Sequence, residues 1–212
     1  MYKEFSDFWD KKWGKPGLIE NNTFAQKVID YCPGTNPRLL DLGCGTGRDS
    51  LYFAEKGFQV DAFDFSQNAL NGLQMFSKEK GLDVHTILGS VREYIFIQDH
   101  YDVIYACNSL HYFNEKDMRD IVQKLKTSLR KGGYIFIRVK SIHDRDFGKG
   151  ERIGNNFYKN GEDIKYYFES HFLQELFDDF EILEIRELQD THNKISGETT
   201  MNGFIDIIAR KS

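Results

Sequence analysis

The sequence predicts an α/β fold in which helices cover both faces of a mostly parallel sheet. Short apolar segments of strand length alternate with amphipathic segments of helix length. A glycine cluster lies where the first strand should turn into the first helix, and the last two apolar segments read as an antiparallel strand pair. Because strands that alternate with helices form βαβ units, most of the strands should be parallel and share one sheet.

Each strand and helix is predicted from a local pattern. A short apolar run predicts a strand buried on both faces, whereas apolar residues at helical spacing predict a helix. The predicted strands span residues 38–42, 58–65, 83–89, 101–107, 134–139, 180–188 and 203–211. The predicted helices span residues 47–57, 66–81, 115–131 and 163–179.

Capping residues mark the ends of the clearest helices. Ser66 is a predicted N-cap, and Gly81 lies just beyond the other end of the same helix. Asn114 should cap the next helix, which we expect to stop at Gly132 and Gly133. The buried face of that helix is predicted to consist of Met118, Ile121, Val122, Leu125 and Leu129.

Composition and charge exclude several classes of protein. No apolar run approaches the roughly 20 residues that span a bilayer, and the first residues lack the pattern of a secretory signal. The three cysteines have no metal-type spacing, so we predict no metal site and a cytoplasmic protein with reduced thiols. The net charge of −5 argues against a nucleic-acid partner, which would normally meet a basic patch.

Three glycines and one aspartate predict a nucleotide-type ligand. Gly43, Gly45 and Gly47 stand at alternate positions directly after the first predicted strand. A glycine lets a ligand approach the backbone and permits positive φ angles, although a sharp turn alone also uses glycine. Asp64 ends the second predicted strand about 20 residues on, where a carboxylate can accept hydrogen bonds from both ribose hydroxyls. Together they predict a nucleoside-cofactor site on a Rossmann-like fold.

The spacing of these glycines disfavours a dinucleotide. The fingerprint for NAD or FAD is G-x-G-x-x-G, with glycine or alanine at the last position. Here the third glycine comes one residue early, at Gly47, and Arg48 takes the sixth position. An oxidoreductase that uses a dinucleotide is therefore a weaker hypothesis than the two functions described below.

Two segments resemble a known family. The run from Leu39 to Gly57, "LLDLGCGTGRDSLYFAEKG", and the following "VDAFDFS" resemble the cofactor-binding motifs of class I S-adenosylmethionine-dependent methyltransferases. Within that class the chain is most similar to the small tellurite-resistance-type enzymes. The resemblance implies S-adenosyl-L-methionine as methyl donor, S-adenosyl-L-homocysteine as product, and a seven-stranded sheet in a Rossmann-like three-layer sandwich with an antiparallel C-terminal strand.

The resemblance also implies roles for individual residues. Asp41, Gly43 and Asn108 would lie beside the methionine part of the cofactor, and Gly45 and Gly47 would let the loop pass the sulfonium. Asp64 would hold the ribose. The adenine would meet Phe65, the Ser90 hydroxyl and the Val91 N–H, and Cys44 and Ser66 complete the predicted cofactor-binding set.

The single predicted domain has four parts. Residues 1–35 should form an N-terminal helical cap, and residues 36–139 the cofactor-binding half. Residues 140–162 have no clear period and are predicted as a long loop or lid. Residues 163–212 should add a helix and the strand pair.

Two histidines are the candidates for a general base. His111 follows the fourth predicted strand, and His192 lies in the loop of the final strand pair; a structural role is the alternative for both. A base is needed only if the acceptor must lose a proton. The predicted function is methyl transfer to a small molecule by in-line displacement, and the alternative is a non-catalytic S-adenosylmethionine-binding sensor on the same fold.

Overall fold

The structure is a computed structural model that describes residues 22–32, 34–193 and 199–212, with the backbone alone at 191–193 and 199–200. Most of the predicted N-terminal cap at residues 1–35, including its aromatic segment, lies outside the described residues, and the described part contains the helix Thr23–Tyr31. None of the described helices is long and apolar enough to cross a lipid bilayer.

The described residues form one seven-stranded sheet and one small three-stranded sheet. The strands of the large sheet are β1 (Arg38–Leu42), β2 (Gln59–Asp64), β3 (Val84–Leu88), β4 (Tyr101–Cys107), β5 (Leu129–Lys140), β9 (Phe180–Asn193) and β10 (Thr199–Lys211). Their order is β3-β2-β1-β4-β5-β10-β9, in which β1 to β5 are parallel and β10 runs antiparallel to both neighbours. The helices are α1 (Thr23–Tyr31), α2 (Arg48–Glu55), α3 (Gln67–Lys80), α4 (Glu115–Ser128) and α5 (Ser170–Leu176). The predicted fold class is confirmed.

Alternating side chains give the sheet two buried faces. In β1, Leu39 packs in one apolar cluster and Leu40 in the other. The first cluster also holds Phe24 of α1 and Leu73 of α3, whereas the second holds Met118 of α4. This alternation follows from the period of two residues in a strand, and it produces the three layers of helix, sheet and helix.

The predicted caps are confirmed at two helices. The Ser66 hydroxyl oxygen accepts a hydrogen bond from the Ala69 N–H at 3.2 Å, and Gly81 ends α3 in the left-handed region with φ 65°. The Asn114 side-chain oxygen accepts from the Asp117 N–H at 2.9 Å and so begins α4. These side chains satisfy backbone donors that the first helical turn leaves without partners.

The prediction that α4 runs on to Gly132 and Gly133 is wrong. The helix ends at Ser128, and Leu129 already pairs with Tyr101 of β4. A Cβ built on Gly133 would lie 2.9 Å from the Asp102 carbonyl oxygen, so this glycine permits the close approach of two strands. The two glycines do mark a break in the regular pattern, but they lie within β5 and not at the end of α4.

The prediction of a long loop at 140–162 is wrong, and the helix predicted at 163–179 begins later than expected. A role of residues 140–162 as a lid stays a prediction. The small antiparallel sheet consists of β6 (Glu151–Gly154), β7 (Phe157–Asn160) and β8 (Asp163–Tyr166), and α5 begins only at Ser170. Turns that contain Asn156 (φ 50°) and Gly161 (φ 64°) join the strands. Both residues suit the left-handed region that tight hairpins require.

Candidate active site

A cavity of about 990 Å³ opens at the carboxyl edge of the large sheet. The turns after β1, β2 and β4 form one side, and the end of β5, the start of β10 and the small sheet form the other. This is the edge at which open α/β sheets bind ligands. The predicted site residues that line it are Asp41, Gly43, Cys44, Gly45, Asp64, Phe65, Val91, Asn108 and His111.

Contacts within the protein require glycine at two positions of the turn after β1. Gly43, Gly45 and Gly47 all have positive φ angles, of 73°, 54° and 78°. A Cβ on Gly43 would lie 2.5 Å from Ser109 Cβ, and one on Gly47 would lie 2.3 Å from Leu73 Cδ1. Gly47 does not line the cavity. It lies at the start of α2, and its Cα hydrogen side packs against Leu73 of α3.

Asp64 faces the cavity with its carboxylate fixed by the backbone on both sides. Its Oδ2 accepts from the Gly45 N–H and its Oδ1 from the Ser66 N–H, each at 2.9 Å. Ser66 itself does not line the cavity and serves as the cap of α3. These bonds join the end of β2 to the glycine turn, so the carboxylate has a defined orientation before any ligand arrives.

Acidic residues accumulate beside this turn. Asp41 is buried and accepts a hydrogen bond from the Ser50 hydroxyl at 2.6 Å. Burial, together with the nearby Asp49 and Asp64 carboxylates, raises the pKa of Asp41 to about 8. A carboxyl group in such surroundings gains most from a cationic neighbour, because a positive charge favours its ionised form.

Asp49 belongs to a hydrogen-bonded network that sequence reasoning missed. Its Oδ2 accepts from the Asn22 amide and from the Tyr105 hydroxyl, both at 2.8 Å, and its Oδ1 accepts from Arg48 Nε at 2.8 Å. Asn22 also caps α1 by accepting from the Phe24 N–H at 3.0 Å. The network therefore ties the start of the described chain to the wall of the cavity.

The thiols at the cavity are poor nucleophiles. Burial and nearby carboxylates raise the pKa of Cys44 well above its ordinary value and that of Cys107 to about 11. Since the thiolate is the reactive form, neither thiol is activated. Among the described residues, no group of His, Cys, Asp and Glu side chains could hold a metal ion.

The turns after β2, β3 and β4 provide an aromatic and strained wall. Phe63 and Phe65 line the cavity with Val91, and the Phe63 ring packs edge-on against Tyr94 at 5.0 Å. Ser90 does not line it; its carbonyl oxygen instead accepts from the Tyr94 N–H at 2.9 Å. Asn108 lines the cavity with φ 60°, a backbone conformation that recurs at functional sites.

The β5 side of the cavity holds His111 among cationic and apolar residues. His111 is 1% exposed and its Nδ1 has no hydrogen-bond partner among the described residues. Burial, followed by the charges of Lys165 and Lys140, lowers its pKa well below the ordinary value. The apolar lining residues here are Ile153, Phe157, Ile164 and Phe204.

Of the two predicted histidines, the structure describes the side chain of His111 only. His111 lies at the cavity, as expected for an active-site residue. The side chain of His192 lies outside the described residues. The lysines and aromatic residues of β5, β8 and β10 were missed, because the segment predicted as a loop or lid has no local pattern that identifies which of its side chains face the carboxyl edge.

Comparison with known proteins shows similarity to methyltransferases. Residues 39–133 match the model of a methyltransferase domain. The chain is 27% identical over 173 residues to the probable S-adenosyl-L-methionine-dependent methyltransferase TehB of Haemophilus influenzae, covering 78% of this chain and 58% of that protein. It is 32% identical over 177 residues to the putative methyltransferase YqeM of Bacillus subtilis, covering 80% of this chain and 66% of that protein.

The more distant relatives include an enzyme that methylates tRNA. A human tRNA N(3)-cytidine methyltransferase is 24% identical over 214 residues, covering 92% of this chain and 57% of that enzyme. The chain thus spans somewhat more than half the length of these curated relatives, apart from the larger share of YqeM.

Solved structures share the whole architecture. The crystal structure of TehB from Haemophilus influenzae superposes with a TM-score of 0.70 at 23% identity, over 98% of this chain and 67% of that one. A Burkholderia thailandensis N-methyltransferase with bound S-adenosylhomocysteine gives a TM-score of 0.75 at 18% identity, over 100% of this chain and 88% of that one. With its glycine turn, its Asp64 and this architecture, the chain belongs to the class I S-adenosylmethionine-dependent methyltransferases and is related to the TehB proteins.

Proposed function

We propose that the protein transfers a methyl group from S-adenosylmethionine to a small organic molecule in the cavity. The single observation that carries this proposal is the arrangement of the carboxyl edge of the sheet. The glycine turn, the oriented Asp64 carboxylate and the buried Asp41 all face one cavity, and the small sheet covers its other side.

The residues on the β1 and β2 side fit the cofactor. Asp64 faces the cavity, and a carboxylate oxygen can accept more than one hydrogen bond, so Asp64 can bind ribose hydroxyls while it holds the Gly45 and Ser66 N–H groups. Phe63, Phe65 and Val91 offer an apolar surface on which a flat base would pack. Gly47, Ser66 and Ser90 then act indirectly, by shaping the turns that carry these contacts.

The electrostatics of this side fit a cation. The sulfonium and the ammonium of S-adenosylmethionine are positive, and Asp41 lies where burial and like charges have raised its pKa to about 8. A cation bound nearby would stabilise the Asp41 carboxylate. Asn108, held at φ 60° beside Cys107, lines the same region and is proposed to contact the amino-acid part of the cofactor.

The cofactor, when bound, supplies a methyl group on a good leaving group. The protein is then needed chiefly to hold the acceptor in line and to keep water out. Alignment of bound reactants alone reaches effective molarities of ~10⁵–10⁸ M. Ile153, Phe157 and Ile164 of the small sheet supply the apolar cover on the acceptor side.

The size of the cavity and the charge of the chain favour a small acceptor over a polynucleotide. A volume of about 990 Å³ suits a cofactor with a small molecule beside it. The net charge of −5 gives little attraction for a phosphate backbone, which dominates nucleic-acid affinity. The tRNA methyltransferase among the relatives is longer than this chain and makes tRNA the alternative acceptor.

Calorimetric titration with S-adenosylhomocysteine tests the cofactor site. We expect Asp64→Ala to weaken binding by about 2–4 kcal/mol, because two hydrogen bonds to a charged acceptor are lost. Asp64→Asn keeps the side-chain size and should weaken binding less. Asp83→Ala, an exposed carboxylate before β3, is the matched control and should bind normally. Unchanged affinity in folded Asp64→Ala would remove Asp64 from the site.

Turnover separates an enzyme from a sensor. With radiolabelled methyl donor and a panel of thiol, phenol, amine and carboxylate acceptors, an enzyme yields a labelled product that depends on Asp64. Cofactor binding without any labelled product across the panel would favour the sensor.

A further inference from the structure

Two lysine ammonium groups line the β5 side of the cavity, while their charge partners do not. Lys140 ends β5 and donates to Asp144 Oδ2 at 2.8 Å; Lys165 lies in β8 and donates to Asp163 Oδ2. Among the described residues, both lysines line the cavity and neither aspartate does. The wall on this side therefore presents positive charge, with the compensating carboxylates behind it.

Two buried polar atoms belong to residues that line the same cavity. His111 Nδ1 and Ser109 Oγ are both buried, and neither has a hydrogen-bond partner among the described residues. Both residues line the cavity, and a Cβ built on Gly43 would lie 3.4 Å from Ser109 Oγ. Because buried polar groups in native proteins are nearly always paired, a ligand with polar atoms is expected to contact them.

The surroundings of His111 oppose its use as a base. The ring is fully buried, and the charges of Lys165 and Lys140 lower its pKa well below the ordinary value. A proton added to the ring would create a third positive charge beside two others without solvent. The same field that repels a proton attracts an anion, and a neutral imidazole can donate a hydrogen bond to one through Nδ1 in the matching tautomer.

Building on the methyl transfer proposed above, we propose that the acceptor is a small organic anion whose charged group lies against Lys140, Lys165 and His111. This placement gives the Nδ1 atom a partner and brings the anion to the cavity side of both ammonium groups, whose carboxylate partners do not line the cavity. It also leaves the acidic side of the cavity to the cationic cofactor, so that the two ligands have opposite charges. The organic part of the acceptor lies on the apolar residues Ile153, Phe157, Ile164 and Phe204.

Matched probes of different charge test this inference by binding alone. The protein loaded with S-adenosylhomocysteine is titrated with benzoate, benzamide and benzylammonium, and binding is followed by NMR chemical shifts. Benzoate should bind about tenfold more tightly than benzamide. This ratio corresponds to the free energy that one charge-assisted hydrogen bond usually contributes. Benzylammonium should bind least. Phenylacetate and hexanoate extend the set to carboxylates of other shapes.

Variants of one lysine identify the site. Lys165→Gln should reduce the affinity for benzoate to that for benzamide, and Lys165→Arg should restore most of it because the charge returns. Lys159→Gln, which changes an exposed lysine on the neighbouring strand β7, is the control and should bind benzoate normally. Affinity for S-adenosylhomocysteine is measured in every variant.

The results distinguish failure of the anionic-acceptor inference from failure of the proposed methyl transfer. Equal binding of benzoate and benzamide, no binding of any carboxylate, or the same affinity in Lys165→Gln and Lys159→Gln would overturn the anionic acceptor while leaving the cofactor site intact. Failure of the unaltered protein to bind S-adenosylhomocysteine would overturn the proposed methyl transfer, and this inference with it.

Discussion

At the scale of single residues, Asp41 couples the electrostatics of the site to stability. Its pKa is raised from 3.8 to about 8, first by burial and then by Asp49 and Asp64. Between these pH values the folded chain keeps a proton that the unfolded chain has released. The folded state thus binds more protons, and the free energy of unfolding falls as the pH rises through this window.

Substitution of Asp41 by asparagine should remove that dependence. Asp41→Asn resembles the protonated carboxyl group and can still accept from the Ser50 hydroxyl. The stability of the unaltered protein relative to Asp41→Asn should fall by roughly 1 kcal/mol per pH unit between pH 4 and 8, the linkage slope for one proton. Urea denaturation at several pH values measures it, and parallel pH profiles for the two proteins would contradict the assignment.

Gly47 provides a second prediction at this scale. Gly47→Ala places a methyl group 2.3 Å from Leu73 Cδ1 in addition to forcing alanine to φ 78°. Gly57→Ala, at φ 88° with no atom within 4 Å, is the matched control that carries backbone strain alone. Gly57→Ala should cost about 1–2 kcal/mol, and Gly47→Ala about 1–3 kcal/mol more from overpacking.

Thermal and urea denaturation measure both glycine variants. Leu73→Ala introduced into Gly47→Ala should recover part of the excess cost, because it removes the clashing methyl groups. If the two glycine variants were equally stable, Gly47 would be required for its backbone conformation only.

At the scale of elements, the small sheet should open more readily than the large one. Its strands have four residues each, and all four residues of β6 are exposed. By contrast, β4 is largely buried between β1 and β5. Elements with few buried apolar contacts open locally at a fraction of the global free energy. An element that opens in this way can admit ligands to the cavity.

Hydrogen–deuterium exchange tests this difference between the sheets. Peptides that cover 151–166 should exchange well before peptides that cover 101–107, and S-adenosylhomocysteine with benzoate should slow the exchange of the first set. Exchange at a common rate in both regions would show instead that the two sheets open as one unit.

At the scale of the whole molecule, charge distribution decides between acceptors. The chain carries 33 acidic and 28 basic residues, which gives a net charge of −5. Nonspecific nucleic-acid affinity comes from neutralised phosphates, with Kd values typically of ~10⁻⁴–10⁻⁶ M at physiological salt. We expect the isolated chain to bind tRNA more weakly than this range in a gel-shift titration. Binding in the micromolar range would support the tRNA alternative.

The sequence by itself determined the parallel half of the fold and the position of the glycine turn and Asp64 at one edge of the sheet. The periods of β1 to β4, the caps Ser66 and Asn114, and the pairing of a glycine turn with Asp64 are local signals, because each depends on residues near in sequence. The strand after α4 was placed too late, since glycines that signal a helix end also permit close strand contacts.

Only the tertiary structure decided the side of the cavity on which we propose that the acceptor binds. The strands β6 to β8 are too short to show a period, and they are defined by hairpin pairing and by packing over the cavity. Lys140, Lys165 and His111 come from three separate elements, so no spacing in the chain reveals that they meet. Burial, which together with Lys165 and Lys140 lowers the pKa of His111 and so makes it a weaker base, is likewise a property of the assembled fold.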